Sequence, residues 1–244
     1  MGNGGSDHAN AAAANLFSPL GARYDLLCEV LSMGQNRRWR RALVDRVQEV
    51  NPKRVLDVAS GTAGIALQIA RRTGAEVIAY DLTLPMLEKG RERIGKAHLH
   101  DQVVATQGRA ERMPFADGSF DVVTFSYLLR YVADPAATLA ELSRVITPGG
   151  SLLSLEFLAP PGAPWRMAWW LYTRVLLPPA GWVLGGSAWW RVGRFLGPSI
   201  SGHYRAHPLE WLQDAWRSAG IPEVSSRVMS LGGGLIMWGH KSGG

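Results

Sequence analysis

VLDVASGTAGIALQIARRTGAEVIAYD, residues 55–81, alternates between two kinds of segment. Val55 to Val58 is a short apolar run of the kind that fills a buried parallel strand. It gives way to small residues, Ala59, Ser60, Gly61, Thr62, Ala63 and Gly64, then resumes at helical spacing with Ile65, Leu67, Gln68 and Ile69. Val77 to Tyr80 is a second apolar run, stopped by an acid, Asp81. Strand, small-residue turn, helix, strand and acid make the first half of a nucleotide-binding doubly wound sheet. The small side chains let the backbone approach a ligand, and the acid can accept both hydroxyls of a ribose.

Two ligands compete for this pattern. A dinucleotide asks for G-x-G-x-x-G, because its pyrophosphate lies on the helix N-terminus. Only Gly61 and Gly64 are present, and an acid, Asp57, stands inside the motif at the end of the first strand. That acid repels a pyrophosphate and attracts an ammonium group, directly or through water. S-adenosylmethionine carries an ammonium, a sulfonium and a ribose diol but no phosphate, so it suits both acids. The competing reading of Asp57 is a cap on the following helix.

Composition narrows the rest. At 244 residues and 47% hydrophobic content, the chain builds one domain, or one domain with a subdomain. No apolar run is long enough to span a bilayer. A single cysteine, Cys28, excludes an internal disulfide framework, and no metal-ligand cluster is seen. The opening MGNGGSDHANAAAANLF lacks a basic region followed by an apolar core, so a cytoplasmic protein is expected. Its Met1-Gly2 and Ser6 formally fit a myristoylation signal, against the plainer reading of a floppy tail.

The net charge of +6 is unevenly spread. From Phe157 to Leu209 there is no acid, yet Arg166, Arg174, Arg191, Arg194 and Arg205 fall there, with six of the ten tryptophans. Indole with guanidinium and no carboxylate suits a membrane–water interface or a lipophilic substrate. An ordinary aromatic core is the alternative. Nucleic acid is not expected, since the interval has no lysine.

Residues 1–15 read as a disordered tail and 16–244 as the folded domain, with 158–207 an inserted substrate- or membrane-facing segment. Helices are expected at 20–32 and 36–49, parted at Gly34. Strands follow at 54–58, 76–80, 102–106, 120–126 and 151–157, with helices at 63–72, 84–95 and 135–146. Pro148-Gly149-Gly150 marks the turn before the fifth strand. Helix 208–219 and strands 222–229 and 234–240, paired as a hairpin, close the chain. The expected class is α/β, a doubly wound sheet with helices on both faces.

This order resembles the class I S-adenosylmethionine-dependent methyltransferases, with about seven strands and an antiparallel final pair. Within them the chain is similar to the demethylmenaquinone and ubiquinone C-methyltransferases. The likeness rests on FSPLGARYDLLCEVLSMGQNRRWR (17–40), through Phe17, Ala22, Tyr24, Asp25, Leu31, Ser32, Gly34, Trp39 and Arg40. It continues through VLDVASGTAG, RAERMPFADGSFDVVT, SYLLRYVADP, VITPGGSLLSLEF and GGGLIMWGHK. The resemblance implies S-adenosylmethionine as cofactor, held by Tyr24, Asp57, Ala59, Gly61, Thr62, Asp81, Leu82, Arg109, Ala110 and Ser126. Three departures stand out. Ala63 replaces the loop's second glycine, so its methyl narrows the approach to the cofactor; Arg109 stands where the family has an acid that binds adenine; and the family's Arg-Asn pair is Arg130-Tyr131.

Methylating a ring carbon needs an aligned methyl group, a stabilised phenolate and a proton acceptor. Arg130, after the fourth strand, is the candidate for the phenolate; its alternative is a surface salt bridge with an acid such as Asp134. His203 and Tyr204, beside the insert, are candidates for the proton. The resulting expectation is C-methylation of a prenylated hydroquinone, with demethylmenaquinol first, by a protein at the inner face of the membrane. Other lipophilic acceptors (a phospholipid amine, a sterol-like lipid, a polyketide phenol) and a non-catalytic subunit of the same fold stay open, as does a homodimer.

Overall fold

The computed structural model describes residues 24–158, 160 and 162–243, with Ala11, Asn15 and Leu16. The expected tail, 1–15, falls outside them apart from Ala11 and Asn15, and so does the side chain of Tyr24. Two helices come first, α1 (Tyr24–Leu31) and α2 (Gln35–Val50), separated by Gly34 in the left-handed region at φ 77°. The alternating part follows: β1 (Arg54–Val58), α3 (Gly64–Thr73), β2 (Glu76–Asp81), α4 (Leu84–Lys96), β3 (Val103–Gln107), β4 (Phe120–Ser126), a 3-10 turn (Leu129–Tyr131), α5 (Pro135–Arg144) and β5 (Ile146–Phe157). After the insert come α8 (Leu209–Ser218), β6 (Glu223–Met229) and β7 (Gly234–His240).

The seven strands lie in the order β3-β2-β1-β4-β5-β7-β6. β1 to β5 pair in parallel, and β7 runs antiparallel to both β5 and β6. This is the class I methyltransferase topology expected from the sequence. The apolar runs read as strands because both faces of a parallel sheet are covered. One face packs on α5 and α8 through Leu139, Leu142, Leu212 and Trp216. The other packs on α2 and α3 through Leu43, Val47, Ile65 and Ile69.

β5 differs from its expected start. It begins at Ile146, and Pro148-Gly149-Gly150 lies inside it as an irregularity where its register against β4 shifts between Phe120 and Val122. A Cβ on Gly150 would stand 2.7 Å from the Asp121 carbonyl oxygen, so only glycine lets the two backbones meet there.

The insert is helical: α6 (Ala163–Leu171), one π-helical turn (Tyr172–Leu176) and α7 (Leu177–Ala206). Gly186 breaks α7 at φ 75°, ψ −160°, a conformation that is essentially glycine-only. The chain reverses there, and the two arms pack closely. A Cβ on Gly193 would come 2.8 Å from Pro178 Cα, and one on Gly197 2.6 Å from Thr173 Oγ1. No residue of α6 is buried. Among the described residues no helix is long and apolar enough to cross a membrane.

Candidate active site

Two cavities meet at the carboxyl ends of β1, β2 and β4, where open α/β sheets bind ligands. The first runs from the 59–61 turn to Asp81 and Leu82, and reaches Ala110 and Ser126. Its turn is made by left-handed residues: Ala59 at φ 54°, Gly61 at φ 54° and Ala63 at φ 58°. Reversing the chain within so few residues brings backbone to the cavity wall. Asp81 fixes the shape of the turn. Its Oδ2 accepts from Gly61 N–H at 2.7 Å and its Oδ1 from Thr83 N–H at 2.8 Å. Burial raises the Asp81 pKa, and these backbone donors oppose that rise.

Of the residues expected to bind the cofactor, Ala59, Gly61, Asp81, Leu82, Ala110 and Ser126 line this cavity. Three others do not. Asp57 is fully buried beneath the turn, accepting from Ala66 N–H at 3.1 Å and from the Thr124 hydroxyl at 2.8 Å. It is the carboxylate under the first turn of α3, in the place the capping alternative gives it, and does not line the cavity. Burial pushes its pKa up to about 7, against the pull of Thr124, Ala66 and the Arg40 charge. Thr62 is buried, and its hydroxyl takes a 2.6 Å hydrogen bond from Arg93. Arg109 is exposed and does not line the cavity; its carbonyl accepts from the Tyr80 hydroxyl at 3.4 Å. A guanidinium gains nothing by desolvation there, so the chain presents backbone and Ala110 instead.

Ala63 also departs from expectation. It is fully buried, and its methyl faces α4, 3.4 Å from where a Cβ of Gly90 would be. The methyl therefore does not narrow the cavity.

The second cavity is larger, about 320 Å³ against about 110 Å³, and is walled by the insert, α1, α2 and Phe157. Trp39, Trp165, Trp169 and Trp189 supply most of its aromatic surface. Arg40, Tyr127 and Tyr131 line both cavities and so form the passage between them. Tyr127 is held in the left-handed region at φ 56°, unusual for an aromatic residue. Its ring stacks on Phe157 at 4.3 Å and its hydroxyl donates to Asn36 Oδ1 at 3.0 Å.

Arg130 enters this second cavity from the 3-10 turn. Its guanidinium carbon lies 4.7 Å from the Tyr131 ring centre and 5.2 Å from that of Phe157. Nη1 donates to Ser199 Oγ at 3.4 Å, and Nε has no hydrogen-bond partner among the described residues. The alternative pairing with Asp134 is not formed, because Asp134 caps α5 by accepting from Ala137 N–H at 2.9 Å. Beneath Arg130 sits Glu156, 2% exposed, with Oε1 accepting from Leu129 N–H at 3.0 Å. Burial lifts its pKa to about 7, and the Arg130 charge pulls it down.

His203 and Tyr204 line neither cavity. Tyr204 belongs to the core and interacts with Glu156. His203 packs on Tyr204 at 5.0 Å and on His207 at 4.8 Å. Burial, then the His207 and Arg130 charges, lower its pKa to about 4. It lies among other rings, outside both cavities.

Tyr127, which lines both cavities, and Glu156, beneath Arg130, were not singled out in the sequence, and Arg40 was named there only as part of the family likeness. Glu156 carried the same signal as Asp57 and Asp81, an acid closing an apolar strand. Tyr127 carried none, because its backbone conformation is not written in its side chain.

The first cavity offers backbone, the Asp81 carboxylate and apolar Leu82 and Ala110, with Arg40 the one arginine or lysine in its lining among the described residues. The model of the ubiE/COQ5 methyltransferase family matches residues 6–241. Over 219 residues, 89% of this chain and 90% of the relative, the sequence is 36% identical to a demethylmenaquinone methyltransferase of Thermus thermophilus. It is 33% identical over 231 residues, 93% of this chain and 90% of the relative, to a ubiquinone/menaquinone biosynthesis C-methyltransferase of Idiomarina loihiensis. Among solved structures, a SAM-dependent methyltransferase from Aquifex aeolicus is similar with TM-score 0.52 at 18% identity, covering 81% of this chain and 89% of that one. An O-methyltransferase family protein from Burkholderia thailandensis reaches TM-score 0.59 at 20% identity, covering 91% of this chain and 60% of that one. These structures share the fold.

Proposed function

Because the chain belongs to the ubiE/COQ5 methyltransferase family and is a S-adenosylmethionine-dependent methyltransferase, we propose that it methylates a ring carbon of a prenylated hydroquinone, demethylmenaquinol to menaquinol. The observation that carries this reading is the aromatic cavity joined to the cofactor cavity through Arg40, Tyr127 and Tyr131, with the Arg130 cation in its wall. An apolar chamber suits a naphthalene ring and the start of an isoprenoid tail. Met33, Trp165 and Leu231 line that chamber while 72%, 49% and 64% exposed, so its rim is apolar too. A tail can leave through such a rim into lipid.

The cofactor supplies an electrophilic methyl on sulfur; the protein supplies the rest. The stacked Tyr127 and Phe157 rings give the acceptor a flat wall beside the passage. Arg130 stabilises the phenolate, whose oxygen directs electron density to the adjacent ring carbon. With S-adenosylmethionine bound there, its methyl would pass from sulfur to the ring carbon, leaving S-adenosylhomocysteine, and the proton displaced from that carbon would pass to solvent as the ring regains aromaticity. Arg130 lies among rings, and the Glu156 carboxyl beneath it favours its cationic form. Of the cofactor set, Ala59, Gly61, Asp81, Leu82, Ala110 and Ser126 remain our assignments. We place the enzyme at the membrane face supplied with S-adenosylmethionine, with the insert toward lipid.

The test is direct. Purified protein, S-adenosylmethionine and demethylmenaquinol in vesicles should yield menaquinol by mass spectrometry. Methylation of a phospholipid amine or a polyketide phenol, with none of the quinol, would replace this acceptor by that one.

A further inference from the structure

Arg40 is the single arginine or lysine lining the cofactor cavity among the described residues. It comes from α2, outside the glycine turn, and its guanidinium lies over the start of α3. A Cβ on Gly64 would stand 3.0 Å from its Nη1. The carboxylate beneath, Asp57, is turned inward and already accepts from Ala66 and Thr124. S-adenosylmethionine brings one anionic group to this cavity, the carboxylate of its amino-acid arm. That arm is bonded to the same sulfur that must face the acceptor, so it branches from the passage between the cavities. Arg40 lines that passage, whereas Asp81 lies at the β2 strand end.

We propose that Arg40 binds the carboxylate of the cofactor's amino-acid arm. A guanidinium presents two parallel donors to a carboxylate, which suits the single anionic group of the cofactor. Arg40 and Arg130 then divide the two anions of the reaction, one on the donor and one on the acceptor. The proposal rests on the cofactor and not on which acceptor is methylated.

Calorimetry with two product-like ligands tests it: S-adenosylhomocysteine, and its decarboxylated analogue, which keeps the ammonium, the ribose and the base. Wild-type protein should prefer S-adenosylhomocysteine by about 10- to 150-fold, the size of a charge-assisted hydrogen bond. Arg40→Gln should remove that preference by weakening S-adenosylhomocysteine alone, and Arg40→Lys should keep part of it. Equal loss on both ligands would make Arg40 a support of the turn. Unchanged binding with slower turnover would assign it to the acceptor. Either result overturns the proposal, and so does a wild-type preference below about threefold, which needs no variant to fold.

Discussion

Asp57 and Asp81 end neighbouring strands, yet their surroundings give them opposite sensitivities. Asp81 lines the cavity and holds Gly61 and Thr83 in place. Asp81→Ala should weaken S-adenosylhomocysteine binding by about 1.5–3 kcal/mol, as for lost charge-assisted hydrogen bonds; calorimetry reads it. Asp57 does not line the cavity, so Asp57→Asn should leave that affinity within about threefold. Its effect belongs to stability. The Asp57 pKa rises from the ordinary carboxyl value to about 7 on folding, so the folded state holds the proton more tightly. Stability contributed by that proton is complete below the ordinary value and is lost as pH rises through 7. The melting temperature of Asp57→Asn should therefore gain on wild type between pH 5 and pH 8. Ala63 is a third case: left-handed, with its methyl on the α4 side. Ala63→Gly should relieve a strain of about 1 kcal/mol while losing a buried methyl of similar worth, leaving melting and cofactor affinity nearly unchanged. At this scale the sequence showed which residues end strands. It did not show which way they face, because a carboxyl at a strand end serves a ligand or a helix N-terminus with the same chemistry.

The alternating elements were legible because continuous apolar runs and helical spacing are local signals, and boundaries fell within a few residues. The shape of the insert was not. Its aromatic content announced a lipophilic segment, but the reversal at Gly186 and the contacts of Gly193 and Gly197 depend on which arm meets which. His203 and Tyr204 line neither cavity, and their place beside the insert in sequence says nothing of which wall they join. Gly193→Val should overpack the two arms, at about 1–3 kcal/mol charged to their docking. Proteolysis within residues 163–206 should quicken, while the thermal transition of the sheet moves little. We expect two adjacent tryptophans of α6 to divide two tasks. Trp169 lines the second cavity and Trp170 is exposed. Trp169→Ser should impair turnover on long- and short-chain quinols alike, whereas Trp170→Ser should impair only the long-chain quinol in vesicles. The same loss pattern for both variants would undo that division.

In the whole molecule, the insert carries exposed arginines together with exposed apolar residues. Arg166, Arg174, Arg191, Arg194 and Arg205 are all exposed, beside Met167, Trp170, Leu176, Trp182 and Val183, which are also exposed. We expect sedimentation with anionic liposomes at low salt, much less at high salt, and poor binding to neutral ones, since each arginine near an anionic surface adds about 1 kcal/mol that salt screens. Binding to neither kind of liposome would confine the insert to covering the acceptor. The strand order has a consequence in time rather than space. β7 pairs on both sides, with β5 and with β6, yet it is synthesised after every other element of the sheet. Until Gly234–His240 leaves the ribosome, β5 is an open, largely buried-type edge, with Leu152, Leu153 and Leu155 lacking their antiparallel partners. A nascent chain halted before residue 234 should stay sensitive to protease and prone to self-association, and the insert, already complete, should shelter no finished active site.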